Sequence, residues 1–220
     1  MNSANVGPYG DALTQELMPY VEKKFQAIGQ PWARTLFGGS TGGWRALAVQ
    51  VFYPDLFNGA WVFCPDPVDF RYFQLINIYE DENAYYPNGA WKKEPSRPWM
   101  RGLDDQVIAT QKQASISELV QGTKGRSGQQ LDIFQAVFGP VGKDGYPQPL
   151  YDPLTGKIDK EVAAYWREHF DLSYIIQRDW ATLGPKLGGK LHIYMGDTDT
   201  FYLEEATMLL EKFLRSAKAP

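Results

Sequence analysis

The feature that most constrains this chain is a glycine cluster, Gly38-Gly39-Ser40-Thr41-Gly42-Gly43, set between a short apolar run and a segment with helical spacing. The apolar run is Ala33 to Phe37 and the helical segment is Gly43 to Phe52. A strand that ends in glycines and passes at once into a helix must reverse direction over a few residues, which is a strand-turn-helix unit. Trp44, Leu47, Ala48 and Val51 recur on one helix face, and Pro54 stops the helix. A second run, Ala60-Trp61-Val62-Phe63-Cys64, is too short for a helix and reads as a buried parallel strand. The last strand is Leu191-His192-Ile193-Tyr194-Met195, preceded by Gly188-Gly189 and followed by Gly196-Asp197-Thr198-Asp199. Alternating strands and helices predict the α/β class, a parallel sheet flanked by helices.

Further helices are expected at Asp11 to Phe25, Asp104 to Val120, Leu131 to Phe138, from Asp159 to Trp166, and from Leu203 to Arg215. The first presents Leu13, Leu17, Val21 and Phe25 on one face, with Gly10-Asp11 as its cap. Between Asp66 and Pro185 the chain is rich in Pro, Gly, Tyr, Trp and charge, so this stretch reads as a large, mostly helical insertion. A length of 220 residues accommodates one core with such an insertion. The expected organisation is a single domain: a core over 1–65, an insertion or lid over 66–185, and a final strand, loop and helix over 186–220.

Seven Trp, thirteen Tyr and twelve Phe suit either a ligand groove or an ordinary core. A net charge of −4 gives no broad attraction to phosphate backbones or anionic lipid, so nucleic acid is not an expected partner. No stretch of about 18 apolar residues is present, and no membrane association is expected. Met1 to Gly10 shows no basic segment followed by an apolar one, so the chain displays no targeting signal and its compartment stays open. Cys64 is the single cysteine, which excludes an internal disulfide and a cysteine-built metal site; it is expected to be a buried small apolar residue. No lysine follows the glycines in a Walker A frame and G-x-G-x-x-G is not matched, so neither metal nor cofactor is expected.

Gly38-Gly39-Ser40-Thr41-Gly42 fits G-x-S-x-G in the strand-to-helix context that motif requires. In that context Ser40 is the candidate nucleophile, held in a strained conformation at the tip of the turn, with Gly38 and Gly42 allowing close approach. The Thr41 N–H, at the helix start, is a candidate oxyanion donor. The alternative is a glycine-rich turn that Ser40 merely caps. An acid is expected on a loop after a later strand: Asp199 is preferred because Gly196 lets the chain swing back, Asp197 is the neighbour that caps instead, and Asp66 and Asp69, after the strand that ends at Cys64, are a less favoured acid position whose alternative is loop capping and solvent contact. The base is the difficulty. His192 lies inside the last strand, His169 lies in the insertion beside Trp166 and Phe170 and would serve only in the order Ser, His, Asp, and no histidine follows Asp199.

At Leu36-Phe37-Gly38-Gly39-Ser40-Thr41-Gly42-Gly43-Trp44 the chain resembles the putative-esterase branch of the α/β-hydrolases, the group with feruloyl and acetyl-xylan esterases, S-formylglutathione hydrolase and the mycolyltransferases. It is similar to large uncharacterised bacterial members also in Gly7-Pro8-Tyr9-Gly10-Asp11-Ala12, in Cys64-Pro65-Asp66-Pro67-Val68-Asp69-Phe70 and in Asp179-Trp180-Ala181-Thr182-Leu183-Gly184-Pro185. The resemblance implies an α/β-hydrolase fold with an incomplete parallel sheet, Ser40 as nucleophile, Asp199 as acid, Thr41 in the oxyanion hole and Trp44 as a substrate contact. It further implies opening strands before Met1 and a final strand with a loop histidine after Pro220, hence a fragment of a protein whose full-length relatives are exported. The expected activity is hydrolysis of a small-molecule or carbohydrate-linked ester through an acyl-enzyme, weak in this chain for want of a base. Acyl transfer and a non-catalytic hydrolase-like binding module are the alternatives, and oligomeric state is open.

Overall fold

The computed structural model describes residues 2–89, 95–122, 124–125 and 128–217. A helix opens as α1 (Tyr9–Asp11), widens to π-helical geometry over Ala12–Leu17 and continues as α2 (Met18–Phe25). After a 3-10 turn at Pro31–Ala33 come β1 (Leu36–Ser40), α3 (Thr41–Phe52) and β2 (Ala60–Pro65). The stretch 66–185, expected from the sequence to be an insertion and called so below, holds a hairpin of β3 (Pro98–Arg101) and β4 (Val107–Thr110), then α4 (Gln111–Gln121), α5 (Gln130–Phe138), α6 (Lys160–Phe170), α7 (Leu172–Arg178) and α8 (Trp180–Leu187). β5 (Leu191–Tyr194) and α9 (Glu204–Ser216) follow.

The main sheet has the order β1-β2-β5 with every neighbour parallel. Parallel neighbours end at one edge, so the loops after β1, β2 and β5 gather where Ser40, Pro65 and Tyr194 leave the sheet. One sheet face is covered: Ala60 and Val62 of β2 and Leu47 and Ala48 of α3 are fully buried. On the other face Phe37, Phe63 and Tyr194 form an exposed aromatic row, with ring centroids 5.6 Å and 4.9 Å apart. The α/β architecture with a helix-flanked parallel sheet is thus the one expected from the alternation of strands and helices.

The insertion contributes most of the large buried side chains. Phe70, Phe73, Phe134, Phe138, Trp166 and Phe170 form one aromatic cluster, and Trp44 of α3 joins it against Phe138 at 5.0 Å. Edge-to-face pairs dominate the cluster, the arrangement that ring quadrupoles favour.

Several local expectations are corrected. The first helix starts before Asp11, with Pro8 at the N-cap, so Gly10-Asp11 lie within the helix and do not cap it. Its apolar face is not core: Leu17, Val21 and Phe25 are exposed. The helix expected from Asp104 begins only at Gln111, because residues 107–110 pair as β4 and Thr110 forms a capping box with Gln113. Cys64 is exposed and carries φ 41°, since β2 is buried on one face only and kinks at its end. No helix among the described residues is long and apolar enough to cross a membrane.

Candidate active site

Ser40 stands at the junction of β1 and α3 with φ 55° and ψ −126°, in the positive-φ region that a non-glycine residue adopts only at some cost. Helix α3 begins at the next residue. The Ser40 side chain makes no capping hydrogen bond to that helix, which argues against a simple capped turn and leaves the first-turn N–H groups unclaimed by the hydroxyl. Thr41 is the first of these donors, at the positive end of the helix dipole.

Two glycines make the turn possible, and one differs from expectation. A Cβ on Gly38 would lie 2.1 Å from the Gly42 carbonyl oxygen, so no side chain fits there. A Cβ on Gly43 would lie 3.0 Å from the Phe63 carbonyl oxygen and 3.2 Å from Pro65. Gly42 itself faces open space, so the tight approach falls on Gly38 and Gly43, where α3 starts against β1 and β2.

Asp66 is the side chain brought to Ser40. The β1–β2 register slips between Gly39 and Ser40, pairing Ser40 with Pro65, and the Asp66 N–H then donates to the Ser40 carbonyl at 3.3 Å. The Ser40 hydroxyl donates to Asp66 Oδ1 at 3.5 Å. Gln130, at the start of α5, donates through Nε2 to Thr41 Oγ1 at 3.2 Å and to Asp66 Oδ2 at 3.4 Å. Asp66 is buried, and burial pushes its carboxyl above the usual carboxylate range. Hydrogen bonds from Thr41 and Ser40 and the charge of Arg45 oppose that rise, while the Asp199 charge adds to it. Asp66, the less favoured acid position in the sequence, is thus brought to Ser40 by the end of the strand neighbouring β1. Asp69, by contrast, accepts from the Arg71 backbone and pairs with the Arg71 guanidinium at 2.6 Å.

Asp199 is half-buried and Asp197 exposed, on the loop after β5. Asp199 Oδ1 accepts from the Phe201 N–H at 2.8 Å and the Leu203 N–H at 3.4 Å. Arg101 of β3 holds this loop: its Nε donates to the Asp199 carbonyl at 2.9 Å, its guanidinium pairs with Glu204, and it lies over the Tyr202 ring at 4.3 Å. Neither Arg101 nor Gln130 has a signal in the sequence, since each meets its partner across 98 and 89 positions respectively.

The two histidines are engaged elsewhere. His169 bonds through Nδ1 to the Tyr165 carbonyl at 2.8 Å and stacks on the Tyr165 ring, and His192 stacks on Trp61 across β2 and β5. Trp44 is buried against Phe138 and borders a cavity of about 1000 Å³, shared with Tyr9, Leu13, Arg45 and Ile133. Among the described residues no cluster of His, Cys, Asp or Glu could hold a metal ion.

Comparison with known proteins bears on this arrangement. The family described as Putative esterase matches residues 6–136, more than half of the chain, a span that includes the elbow, Asp66 and Gln130. No curated protein matches the chain.

Proposed function

Because the chain belongs to the Putative esterase family and is on that ground a hydrolase of the esterase kind, we propose that it is a serine carboxylester hydrolase working through an acyl-enzyme on Ser40. The observation that carries this reading is the backbone of Ser40, at φ 55° between a strand and a helix, with its side chain free of any capping role. Such a turn projects the hydroxyl above the sheet edge and sets the Thr41 N–H beside the carbonyl oxygen that becomes an oxyanion. Asp199 is the acid of the site, on a loop that Arg101 and the Phe201 and Leu203 N–H groups keep in place. The substrate is a small-molecule or carbohydrate-linked ester, and Trp44, one turn into α3 from Ser40, is the side chain that joins the elbow helix to the nearby cavity.

Both imidazoles are bound away from Ser40, so turnover is expected to be slow compared with a complete triad, whose loss leaves about 10³–10⁴-fold acceleration over water. The test is hydrolysis of 4-nitrophenyl acetate by the chain and by Ser40→Ala. Ser40→Ala should abolish enzyme-dependent turnover while leaving the melting temperature within a few degrees. Equal turnover by the two proteins would remove Ser40 from the chemistry and leave a hydrolase-like binding module as the better reading.

A further inference from the structure

We infer that Arg101 is the positioning residue through which the insertion sets the Asp199 carboxylate, an assignment that rests on the reading of Ser40 as nucleophile and Asp199 as acid. The loop after β5 folds around Asp199: its Oδ1 accepts from the Phe201 and Leu203 N–H groups, and its carbonyl accepts from the Tyr202 N–H at 3.2 Å. Tyr202 stands at φ 59°. Such a backbone costs a non-glycine residue and persists only where its surroundings impose it.

β3 supplies those surroundings. The Trp99 ring packs edge-on against Phe201 with centroids 5.1 Å apart, and the Arg101 N–H donates to the Thr200 carbonyl at 2.9 Å. The Arg101 side chain adds three contacts at once: Nε donates to the Asp199 carbonyl at 2.9 Å, the guanidinium pairs with Glu204 at the start of α9, and Cζ lies 4.3 Å from the centre of the Tyr202 ring. The side chains of Arg101 and Glu204 are 11% and 6% exposed, so water competes little for these bonds. A planar fork of fixed donors serves a carbonyl and a carboxylate together, which a single ammonium does not. Parallel strands bring this loop to the same sheet edge as Ser40. A shift of Arg101 therefore moves the Asp199 backbone and its carboxylate, and a misplacement of about 1 Å in a site can cost about 10²-fold.

The experiment follows the rate at which a fluorophosphonate labels Ser40, located by mass spectrometry, in the full chain and in Arg101→Ala, Arg101→Lys, Asp199→Asn and the double variant Arg101→Ala with Asp199→Asn, each checked for folding by its thermal melt. Hydrogen exchange at the Phe201 and Leu203 amides, which bond to the Asp199 carboxylate, reads its placing directly. Arg101→Ala should slow labelling about tenfold or more, and Asp199→Asn by a like amount. The double variant should stay within about twofold of the slower single one, as residues acting as a unit require. Arg101→Lys keeps a cation beside Glu204, so it should fold even if Arg101→Ala does not, label about threefold slower than the parent or worse, and exchange both amides faster. Millimolar guanidinium should restore Arg101→Ala with saturation and leave the double variant unchanged, a readout that mere structural damage would not give. Labelling of either Arg101 variant at the parent rate, losses that multiply in the double variant, unchanged exchange at both amides, or no rescue would overturn the assignment. A folded chain never labelled at Ser40 sinks the nucleophile reading and this one with it. Undiminished labelling in Asp199→Asn sinks the acid and Arg101 together; slow labelling there with normal labelling in Arg101→Ala sinks Arg101 alone.

Discussion

The two regions of the molecule are built on opposite principles. The β1-β2-β5 sheet supplies the elbow and the loop that bears Asp199, yet one of its faces carries a bare aromatic row in which Phe37 is 80% exposed. The insertion supplies little of the elbow itself, yet it holds Trp166, Tyr85, Phe70 and Phe73 among the largest fully buried side chains. The large buried side chains and the candidate site therefore lie on different stretches of chain. They meet at three places: Gln130 on Thr41 and Asp66, Arg101 on the Asp199 loop, and Trp44 on Phe138.

The sharpest way to break this comparison is to empty the insertion core. Trp166→Ala should destabilise the chain by about 3–5 kcal/mol, the usual cost of deleting a large buried aromatic. Thermal and urea melts would show it. A loss below about 1 kcal/mol would mean that the insertion is an appendage and the sheet holds the fold.

A smaller effect is expected from pH. Asp171 is fully buried between α6 and α7, accepting from the Phe70 and Tyr174 N–H groups and the Tyr79 hydroxyl. Burial, then the neighbouring Asp69 charge, raises its carboxyl to about 6. Its folded pKa lies above the unfolded value, so its contribution is complete below the ordinary carboxylate range and is lost as pH rises through about 6. Asp171→Asn should be less stable than the parent at the acid end of that window, and the difference between the two should shrink towards neutral pH. Urea midpoints at several pH values would check this, and a constant difference would place the titration elsewhere.

The smallest change is expected on the bare sheet face. Phe37→Ser should alter stability by no more than about 0.5 kcal/mol, as exposed substitutions do, while improving solubility by breaking the aromatic row. A cost of 2 kcal/mol or more, measured by the same melts, would show that this face is covered in solution.

How much of this was readable beforehand depends on whether the rule involved is local. The elbow was legible because a strand, a glycine cluster and a helix follow one another within about twenty positions, and the alternation of such units announces a parallel sheet. The capping box at Thr110 and Gln113 is equally local, but helical spacing continues upstream of it to Asp104 and hides the boundary. Cys64 was misplaced because an apolar run looks buried on both sides until the neighbouring layer is known.

By itself the sequence determined the α/β class, the place of Ser40 and the loop that bears Asp199, all of which follow from backbone preferences over short spans. Only the tertiary structure decided that Asp66 lies under the Ser40 hydroxyl, that Gln130 and Arg101 reach the site from the insertion, and that both histidines are held away from it. The physical reason is that these partners meet through strand register and helix packing. A side chain's nearest neighbour is then set by where distant segments come to rest, which leaves no periodic trace along the chain.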